Sequence, residues 1–366
     1  MNTWKEFAIP AAVPILLNLS LICATLFLAP HMERPIFALA IGVMAGGFLQ
    51  LAVQIPALWK RGLLPKPVSP LTALKDPTVR RVLKLMVPAL FAVGVAHISI
   101  LINTNIASFL AEGSVTWLTY ADRLMEFPTA LLGVALGTVL LPSLSAAFAK
   151  GSMDKYNALL NWGLKLIIAF AIPAALGLAF LSDALVSVLF QSKLFGPNDV
   201  VQTSNAVLGY SIGLIGLIGI KILAPGFYAQ KDIKTPVKVA CAALIVTQLF
   251  NLINVPLFAH AGLALSVGLG ACFNSTILLC ILRKRKIFTP VEGWRKLFMS
   301  VFVSSVVLCA ILFAAQMQID WAHLQMSWAM KMTILCGLIA VAGFAYLFML
   351  FVCGYRLSDL RVKDVE

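Results

Sequence analysis

Three charged side chains lie close together in a stretch that is otherwise apolar. Asp122 and Glu126 are four residues apart and share one face of a helix, and Arg123 precedes Glu126 by three residues, so an arginine–glutamate pair can form along that face. A guanidinium group presents a planar fork of N–H donors that suits phosphate oxygens. The segment therefore indicates a polar cavity in which Arg123 meets an anionic group of a substrate. The alternative is a mutually neutralising cluster near lipid headgroups.

These charges stand inside an apolar stretch, 117–148, that is long enough to cross a membrane. At 1.5 Å per residue they lie roughly 8–14 Å along the helix from its outer end. A charge costs about 2.5–3.5 kcal/mol at the centre of a lipid-facing helix and less at this depth. Because bare lipid offsets none of that cost, the cavity interpretation is favoured.

Milder polar residues occur in other apolar stretches, notably Asn103, Gln248 and Asn251. Amide side chains in membrane helices usually hydrogen-bond between helices. The alternatives are that they line the cavity or that they form a Na⁺ site, because Na⁺ prefers amide, hydroxyl and carbonyl oxygens. Both alternatives stay open at this point.

The elements that must position these residues are membrane-spanning helices. Hydrophobic residues make up 61% of the 366 positions and charged residues only 12%, against roughly 25% charged in soluble domains. A span needs about 20 apolar residues. We predict an all-α polytopic membrane protein with about ten transmembrane helices, at 7–29, 36–58, 82–110, 117–148, 159–181, 202–224, 237–258, 262–282, 297–317 and 328–353.

Small residues recur at helical spacing within one predicted span. Gly209, Gly213, Gly216 and Gly219 form a stripe along 202–224. Such stripes let two helix backbones approach closely in a membrane. The run follows no predicted strand, so it does not indicate a dinucleotide site.

The basic residues predict the orientation of the spans. With ten spans, 24 of the 28 Lys and Arg residues fall on the side that holds both termini, and only Arg34, Lys193 and Lys331 fall on the opposite side. Cytoplasmic loops carry this excess, so both termini are predicted to be cytoplasmic in a bacterial inner membrane. The net charge of +13 is explained by the same bias, and a nucleic-acid partner is not needed.

The sequence lacks the motifs of several classes of enzyme and metal site. The sequence contains no P-loop, no HExxH and no His/Cys group at metal-ligand spacing. We therefore expect no cofactor and no metal, and any transport to be driven by Na⁺ or another ion gradient or by the membrane potential. An enzyme acting on polyprenyl pyrophosphate would need clustered acids at the membrane face, and the sequence offers only Asp122 and Glu126.

The motifs resemble those of the MurJ (MviN) lipid II flippase family over essentially the whole chain. The resemblance rests on Tyr120-Ala-Asp-Arg-Leu-Met-Glu-Phe-Pro128, on Gly133-Val-Ala-Leu-Gly-Thr-Val-Leu-Leu-Pro-Ser143, and on Ala224-Pro-Gly-Phe-Tyr228 followed by Lys231-Asp-Ile-Lys-Thr-Pro-Val-Lys238. It implies an exporter fold of the MOP superfamily, with two six-helix lobes and two C-terminal helices. It also implies alternating access, without enzymatic activity, and assigns Arg123 to the cavity beside Asp122 and Glu126.

The implied substrate is lipid II, the undecaprenyl-pyrophosphate-linked disaccharide-pentapeptide of peptidoglycan synthesis. Membrane lipids and other cell-wall synthesis proteins are the implied partners. The resemblance implies four parts of the chain. They are the two spans of a partial first lobe at 1–58, a cytoplasmic linker at 59–81, a complete second lobe at 82–286, and the C-terminal pair with its tail at 287–366. In the family this pair forms a groove for the long lipid tail.

The sequence departs from the family pattern at its start, because family members carry four more spans before the point that matches Met1. We therefore expect this chain, on its own, to fail to replace a missing flippase and to be unstable or self-associated in detergent. Two alternative functions remain: an O-antigen or multidrug exporter of the same superfamily, and an inactive truncated fragment.

Overall fold

The computed structural model describes residues 8–59, 62, 69–321 and 327–355. All regular structure within these ranges is helical, as predicted. The predicted cytoplasmic tail after 355 and the proline-rich part of the predicted linker, 63–68, lie outside the described residues. By contact density the chain divides into two compact units, Met1–Leu83 and Lys84–Glu366.

The first unit contains a closely packed helical hairpin. Helix α1 (Ala8–Cys23) continues through a π-helical turn to His31, and α2 is Ile36–Trp59. The helices approach at Gly42 and Gly46, where an added Cβ would lie 2.9 Å from the Ala24 Cβ and 2.7 Å from a Leu17 methyl carbon, respectively. Two short helical stretches follow, α3 (Pro70–Ala73) and the start of α4 (Pro77–Ser108), so part of the predicted linker 59–81 is helical.

The second unit contains the rest of α4 and eight further helices among the described residues. Their bounds are Ser114–Pro128 for α5, Ala135–Ala149 for α6, Met153–Phe180 for α7, Ser182–Phe190 for α8, Pro197–Tyr228 for α9, Lys234–Lys284 for α10, Trp294–Gln318 for α11 and Trp328–Val352 for α12. A π-helical segment, Thr129–Val134, joins α5 to α6 directly after Pro128. Among the described residues of this unit, α8 is the α-helix that no predicted span covers.

Eight helical stretches of the described residues are long and apolar enough to cross a membrane. Two differences separate this set from the ten predicted spans. Helix α4, at the predicted span 82–110, is not in the set, and the predicted spans 237–258 and 262–282 form one stretch of 51 residues, α10. A straight helix of that length would measure about 76 Å, well over the roughly 30 Å of a bilayer core.

Helix α10 is in fact a hairpin of two arms. The backbone leaves the helical region at Ala259, where φ is 49° and ψ is −127°. Beyond this break the second arm returns along the first, since an added Cβ on Gly262 would lie 2.2 Å from the carbonyl oxygen of Asn254. The Asn254 amide also donates to the Ser266 hydroxyl at 3.0 Å. The two arms therefore occupy the positions predicted for two separate spans.

Helix α9 is the central helix of the unit, and its glycine stripe lies against the second arm of α10. An added Cβ on Gly213 would lie 2.0 Å from the Gly268 Cα, and one on Gly216 would lie 2.5 Å from the Cys272 nitrogen. The predicted role of the stripe in close helix packing is confirmed. The two backbones touch without intervening side chains, which sets the position of α10 relative to α9.

The C-terminal pair, α11 and α12, is attached to α7 and α8 by polar contacts. Near the start of α11 the Asn161 side chain accepts from Trp294 Nε1 at 2.8 Å and donates to the Thr289 carbonyl at 2.9 Å. Near the start of α12 the Lys331 ammonium donates to Gln191 Oε1 at 2.9 Å. Tyr346 adds a bond from its hydroxyl to the Ala169 carbonyl at 2.7 Å. Because these hydrogen bonds lie at several positions along α11 and α12, they hold the C-terminal pair against α7 and α8.

An ion pair joins the two ends of α10. Asp232, just before the helix, accepts from Arg285 Nη1 at 2.7 Å and from the Thr235 hydroxyl at 2.6 Å. Burial acts to raise the pKa of Asp232, but the hydrogen bonds from Thr235 and Arg285, with the charge of Arg285, outweigh it and hold that pKa below its ordinary value. The ionised carboxylate is therefore favoured in the folded state.

This lowered pKa predicts a pH-dependent contribution to stability. We expect the Asp232→Asn variant to have a lower melting temperature than the unsubstituted protein at neutral pH. The difference should shrink as pH falls below about 4, because protonation of Asp232 removes the same interaction in the folded protein. Melting curves between pH 7 and pH 3 test this, with Glu112→Gln, at an exposed carboxylate, as the control. A difference that stays constant over this range would contradict the assignment.

Candidate functional site

A cavity of about 510 Å³ opens in the second unit between α4, α5, α9 and both arms of α10. Its lining is mostly apolar, with polar groups contributed by every one of these helices. The polar and charged lining residues are Ser99, Asn103, Thr104, Thr119, Asp122, Arg123, Tyr210, Thr247 and Asn274. Such a concave apolar site with a few converging polar groups is the typical form of a ligand pocket.

Two of the three predicted charged residues line this cavity. Asp122 and Arg123 both face it, and Asp122 is half-buried while Arg123 is exposed over 68% of its side chain. Glu126, one turn further along α5, is not in the lining, but its Oε2 lies 3.0 Å from Arg123 Nη1. The predicted pairing of Arg123 with Glu126 is confirmed. Arg123 is the one cation among the described lining residues.

The position of Arg123 depends on how α5 is anchored. The opposite face of α5 is buried through Trp117, Ala121 and Leu124, which leaves Arg123 on the open side. At the start of the helix Trp117 Nε1 donates to Asp199 Oδ1 at 2.9 Å, which ties α5 to the start of α9. These contacts hold α5 in a fixed rotation, so the guanidinium is presented to the cavity without being buried itself.

The three predicted amide residues form one hydrogen-bonded group. The Asn251 amide donates to Asn103 Oδ1 at 2.9 Å and to Gln248 Oε1 at 3.0 Å, which joins α4 to the first arm of α10. Of the three, Asn103 lines the cavity and the other two do not. Asn251 Oδ1 is buried without a hydrogen-bond partner among the described residues. The arrangement serves interhelical bonding, and the Na⁺ hypothesis stays a prediction.

Six of the nine polar and charged lining residues were not among the predicted site residues, and Tyr210 and Asn274 are two of them. Tyr210 is 8% exposed and lines the cavity from α9, next to Gly209 of the glycine stripe. Asn274 lines it from the second arm of α10, and its Oδ1 is buried without a partner among the described residues. Both helices carry several other polar residues, so composition and spacing do not single out these two. Only the packing of α9 against α10 brings them to this cavity.

In the part of the chain that the structure describes, no three His, Cys, Asp or Glu residues lie close enough together to hold a metal ion. What the cavity offers is a guanidinium group with free N–H donors, two nearby carboxylates and neutral hydrogen-bonding groups on apolar walls. This combination suits an amphipathic ligand with an anionic group.

Comparison with known proteins identifies the family. The family model described as "Lipid II flippase MurJ" matches residues 1–347. A "Lipid II flippase MurJ" of Burkholderia cenocepacia is 48% identical over 362 residues, which cover 99% of this chain and 70% of that protein. A "Probable lipid II flippase MurJ" of Haemophilus influenzae is 37% identical, with 100% of this chain and 72% of that protein covered.

The fold agrees with a solved structure described as "Lipid II flippase MurJ, inward closed conformation". The TM-score is 0.75 at 24% identity, over 95% of this chain and 68% of the solved one. At that identity the match concerns the fold alone, and it agrees with the predicted all-α polytopic architecture. With its apolar helices and these relatives, the chain is a multi-pass membrane protein and belongs to the lipid II flippase MurJ family.

Proposed function

We propose that this protein binds lipid II in the cavity beside α5 and carries it from the inner to the outer leaflet of a bacterial inner membrane by alternating access, without chemical change to the lipid. The observation that carries the proposal is the exposed guanidinium of Arg123, set in the wall of a cavity within membrane-spanning helices. A cation at such a position is costly unless it serves a ligand or a water-filled space. The diphosphate of lipid II supplies the matching anion.

The contacts of Arg123 suit reversible binding of a diphosphate. One N–H group, at Nη1, donates to Glu126, and a guanidinium has five such donors. The remaining donors can form a forked pair with phosphate oxygens, which is the geometry that arginine favours. Glu126 would compete with the phosphate for Arg123, so the ligand is held less tightly than by an isolated arginine. A carrier needs this property because it must also release its cargo.

The proposal assigns a role to each predicted domain. We assign 1–58 to a partial first lobe, 59–81 to a linker, 82–286 to the second lobe that holds the cavity, and 287–366 to the C-terminal pair and tail. Large apolar side chains on α11 and α12 are exposed, among them Phe302, Phe313, Phe344 and Phe348. This apolar surface supports contact with the polyprenyl tail of the substrate or with bilayer lipids.

Lipid binding by the purified protein in nanodiscs tests the proposal. We expect saturable binding of lipid II that survives an excess of a lipophilic drug cation, because Arg123 presents a cation to the diphosphate. A lipid-linked O-antigen unit carries the same diphosphate, so an excess of it tests whether the protein discriminates between the sugar parts. Preferential binding of either competitor would favour a different exporter function. Release of phosphate from lipid II during the assay would contradict a non-enzymatic role.

Orientation is a second part of the proposal, with both termini and the 59–81 linker in the cytoplasm. The asymmetry of Lys and Arg supports it. Cysteines introduced at Ser192 and Gln318 should react with a membrane-impermeant thiol reagent added to intact cells after the native thiols are replaced, and one at Ser69 should react only after lysis. Labelling at Ser69 in intact cells would overturn this orientation.

A further inference from the structure

The polar groups of the cavity are divided between two walls. Both charged lining residues, Asp122 and Arg123, lie on α5. Among the described residues, the polar lining groups that α4 and α10 contribute are all neutral: Ser99, Asn103, Thr104, Thr247 and Asn274. The diphosphate of the proposed substrate accounts for the charged wall, and it leaves the neutral wall of α4 and α10 without an assigned partner.

Asn274, in the second arm of α10, brings an unpaired hydrogen-bonding group to the neutral wall. Its Oδ1 is buried and has no hydrogen-bond partner among the described residues. By contrast, Asn103 Oδ1 accepts from Asn251 at 2.9 Å, and Thr247 Oγ1 donates to the Ala243 carbonyl at 2.9 Å. An unpaired buried acceptor lowers stability, because it has lost its bonds to water and gained none in return. A ligand that donates to Asn274 would supply the missing bond.

Asn274 lies at a different depth of the cavity from Arg123. An added Cβ on Gly219 of α9 would meet the hydroxyl of the residue directly after Asn274. The same level of α9 meets Gly133, whose added Cβ would lie 3.8 Å from the Ile218 Cα. Gly133 follows Arg123 by ten residues on a nearly continuous helix, which corresponds to roughly 15 Å along the axis. A ligand that contacts both side chains must therefore extend beyond its diphosphate.

The chemistry of a carboxamide limits which part of the substrate it suits. An asparagine side chain carries one acceptor and two N–H donors, and rotation about χ2 exchanges its two ends. It can form two hydrogen bonds with an acetamido group or with neighbouring hydroxyls, and it has nothing to offer a prenyl chain. The disaccharide of lipid II carries both kinds of group. Because the disaccharide is bonded directly to the diphosphate, it is the part of the substrate that lies next to Arg123.

We infer that Asn274 is a specificity-determining residue that hydrogen-bonds the sugar part of the substrate while Arg123 holds the diphosphate. The inference rests on the proposed function and divides the cavity between two tasks. The charged wall recognises the group that all polyprenyl diphosphates share, and the neutral wall recognises the sugars that distinguish lipid II. A site built to hydrogen-bond a ligand rejects analogues without that bond, because its buried polar group is then left unpaired.

Affinity measurements in nanodiscs test the inference with two probes, lipid II and undecaprenyl pyrophosphate, which carries the diphosphate without the sugars. Asn274→Leu should weaken lipid II binding about tenfold, as expected for the loss of one or two neutral hydrogen bonds. It should leave the affinity for undecaprenyl pyrophosphate unchanged. Without ligand, its melting temperature should equal or exceed that of the unsubstituted protein, because leucine has a similar volume and replaces an unpaired buried acceptor. Arg123→Ala, in contrast, should weaken binding of both probes.

A control variant and a third probe sharpen the test. Thr276→Val is the matched control, because Thr276 lies two residues further along the same arm, is exposed and is outside the cavity lining. It should bind both probes as the unsubstituted protein does. A lipid-linked disaccharide without the peptide should lose as much affinity as lipid II in Asn274→Leu. A loss confined to lipid II would assign the contact to the peptide and overturn the inference.

The other possible results separate this inference from the proposed function. Unchanged affinity for both probes in Asn274→Leu, or an equal loss for both, would overturn the inference, although lipid II binding by the unsubstituted protein would still support the proposed function. A lowered melting temperature of Asn274→Leu would show that the amide stabilises the fold and would also overturn it. If the unsubstituted protein does not bind lipid II, the proposed function fails first and the inference fails with it.

Discussion

Replacing Arg123 with alanine should reduce lipid II binding at least tenfold and leave the fold intact. The guanidinium is the one cation among the described residues that line the cavity, and a charge-assisted contact to a diphosphate contributes about 1.5–3 kcal/mol. Its pair with Glu126 is exposed, with 68% and 56% of the two side chains accessible, so its loss should have little effect on stability. The readouts are lipid II affinity in nanodiscs and the melting temperature of the same samples.

Three further variants make the Arg123 result interpretable. Arg123→Lys should recover binding poorly if a forked contact to phosphate is needed, and well if charge alone suffices. Glu126→Gln should bind the diphosphate as tightly as the unsubstituted protein or more tightly, because it removes a competing carboxylate. Lys193→Ala, a loss of one exposed positive charge outside the cavity lining, should have no effect. Full affinity in Arg123→Ala would mean that the charged cluster is structural.

The second large effect is expected at Gly213, where substitution by alanine should strongly destabilise the second unit. The new Cβ would lie 2.0 Å from the Gly268 Cα and 2.6 Å from its carbonyl carbon. Both contacts are to backbone, which cannot rotate away as a side chain can, so α9 and the second arm of α10 must separate. Overpacking typically costs about 1–3 kcal/mol, and we expect this site at the upper end or beyond.

The matched control for Gly213 is Gly177→Ala in α7. Gly177 is also a glycine inside a long helix, but an added Cβ there would meet nothing within 4 Å. Because alanine favours the helix over glycine by about 1 kcal/mol, this variant should be as stable as the unsubstituted protein or more so. Melting in detergent measures both. Equal melting temperatures for the two variants would contradict the close approach of α9 and α10.

Several features of this molecule could be predicted from the sequence because they depend on local composition. Apolar length determines whether a helix can enter a membrane, so helices were predicted at positions where the structure has them, including the two arms of α10. Helical spacing alone predicted the pairing of Arg123 with Glu126 and the close packing along Gly209 to Gly219. Short-range geometry decides both: a pair three residues apart is set by the helix itself, and a glycine stripe needs only some backbone opposite it.

What the sequence by itself determined, then, is that the chain is a helical membrane protein with one charged segment inside a span. The tertiary structure decided which residues share the cavity. Asn103 reaches it while Gln248 and Asn251 do not, although all three are amides in apolar helices, and Tyr210 and Asn274 join it from α9 and α10. The physical reason is that many apolar helix faces are chemically alike. Which face meets which is decided by shape, through contacts such as that of Gly213 with Gly268, and this pairing determines which polar side chains turn toward a common space.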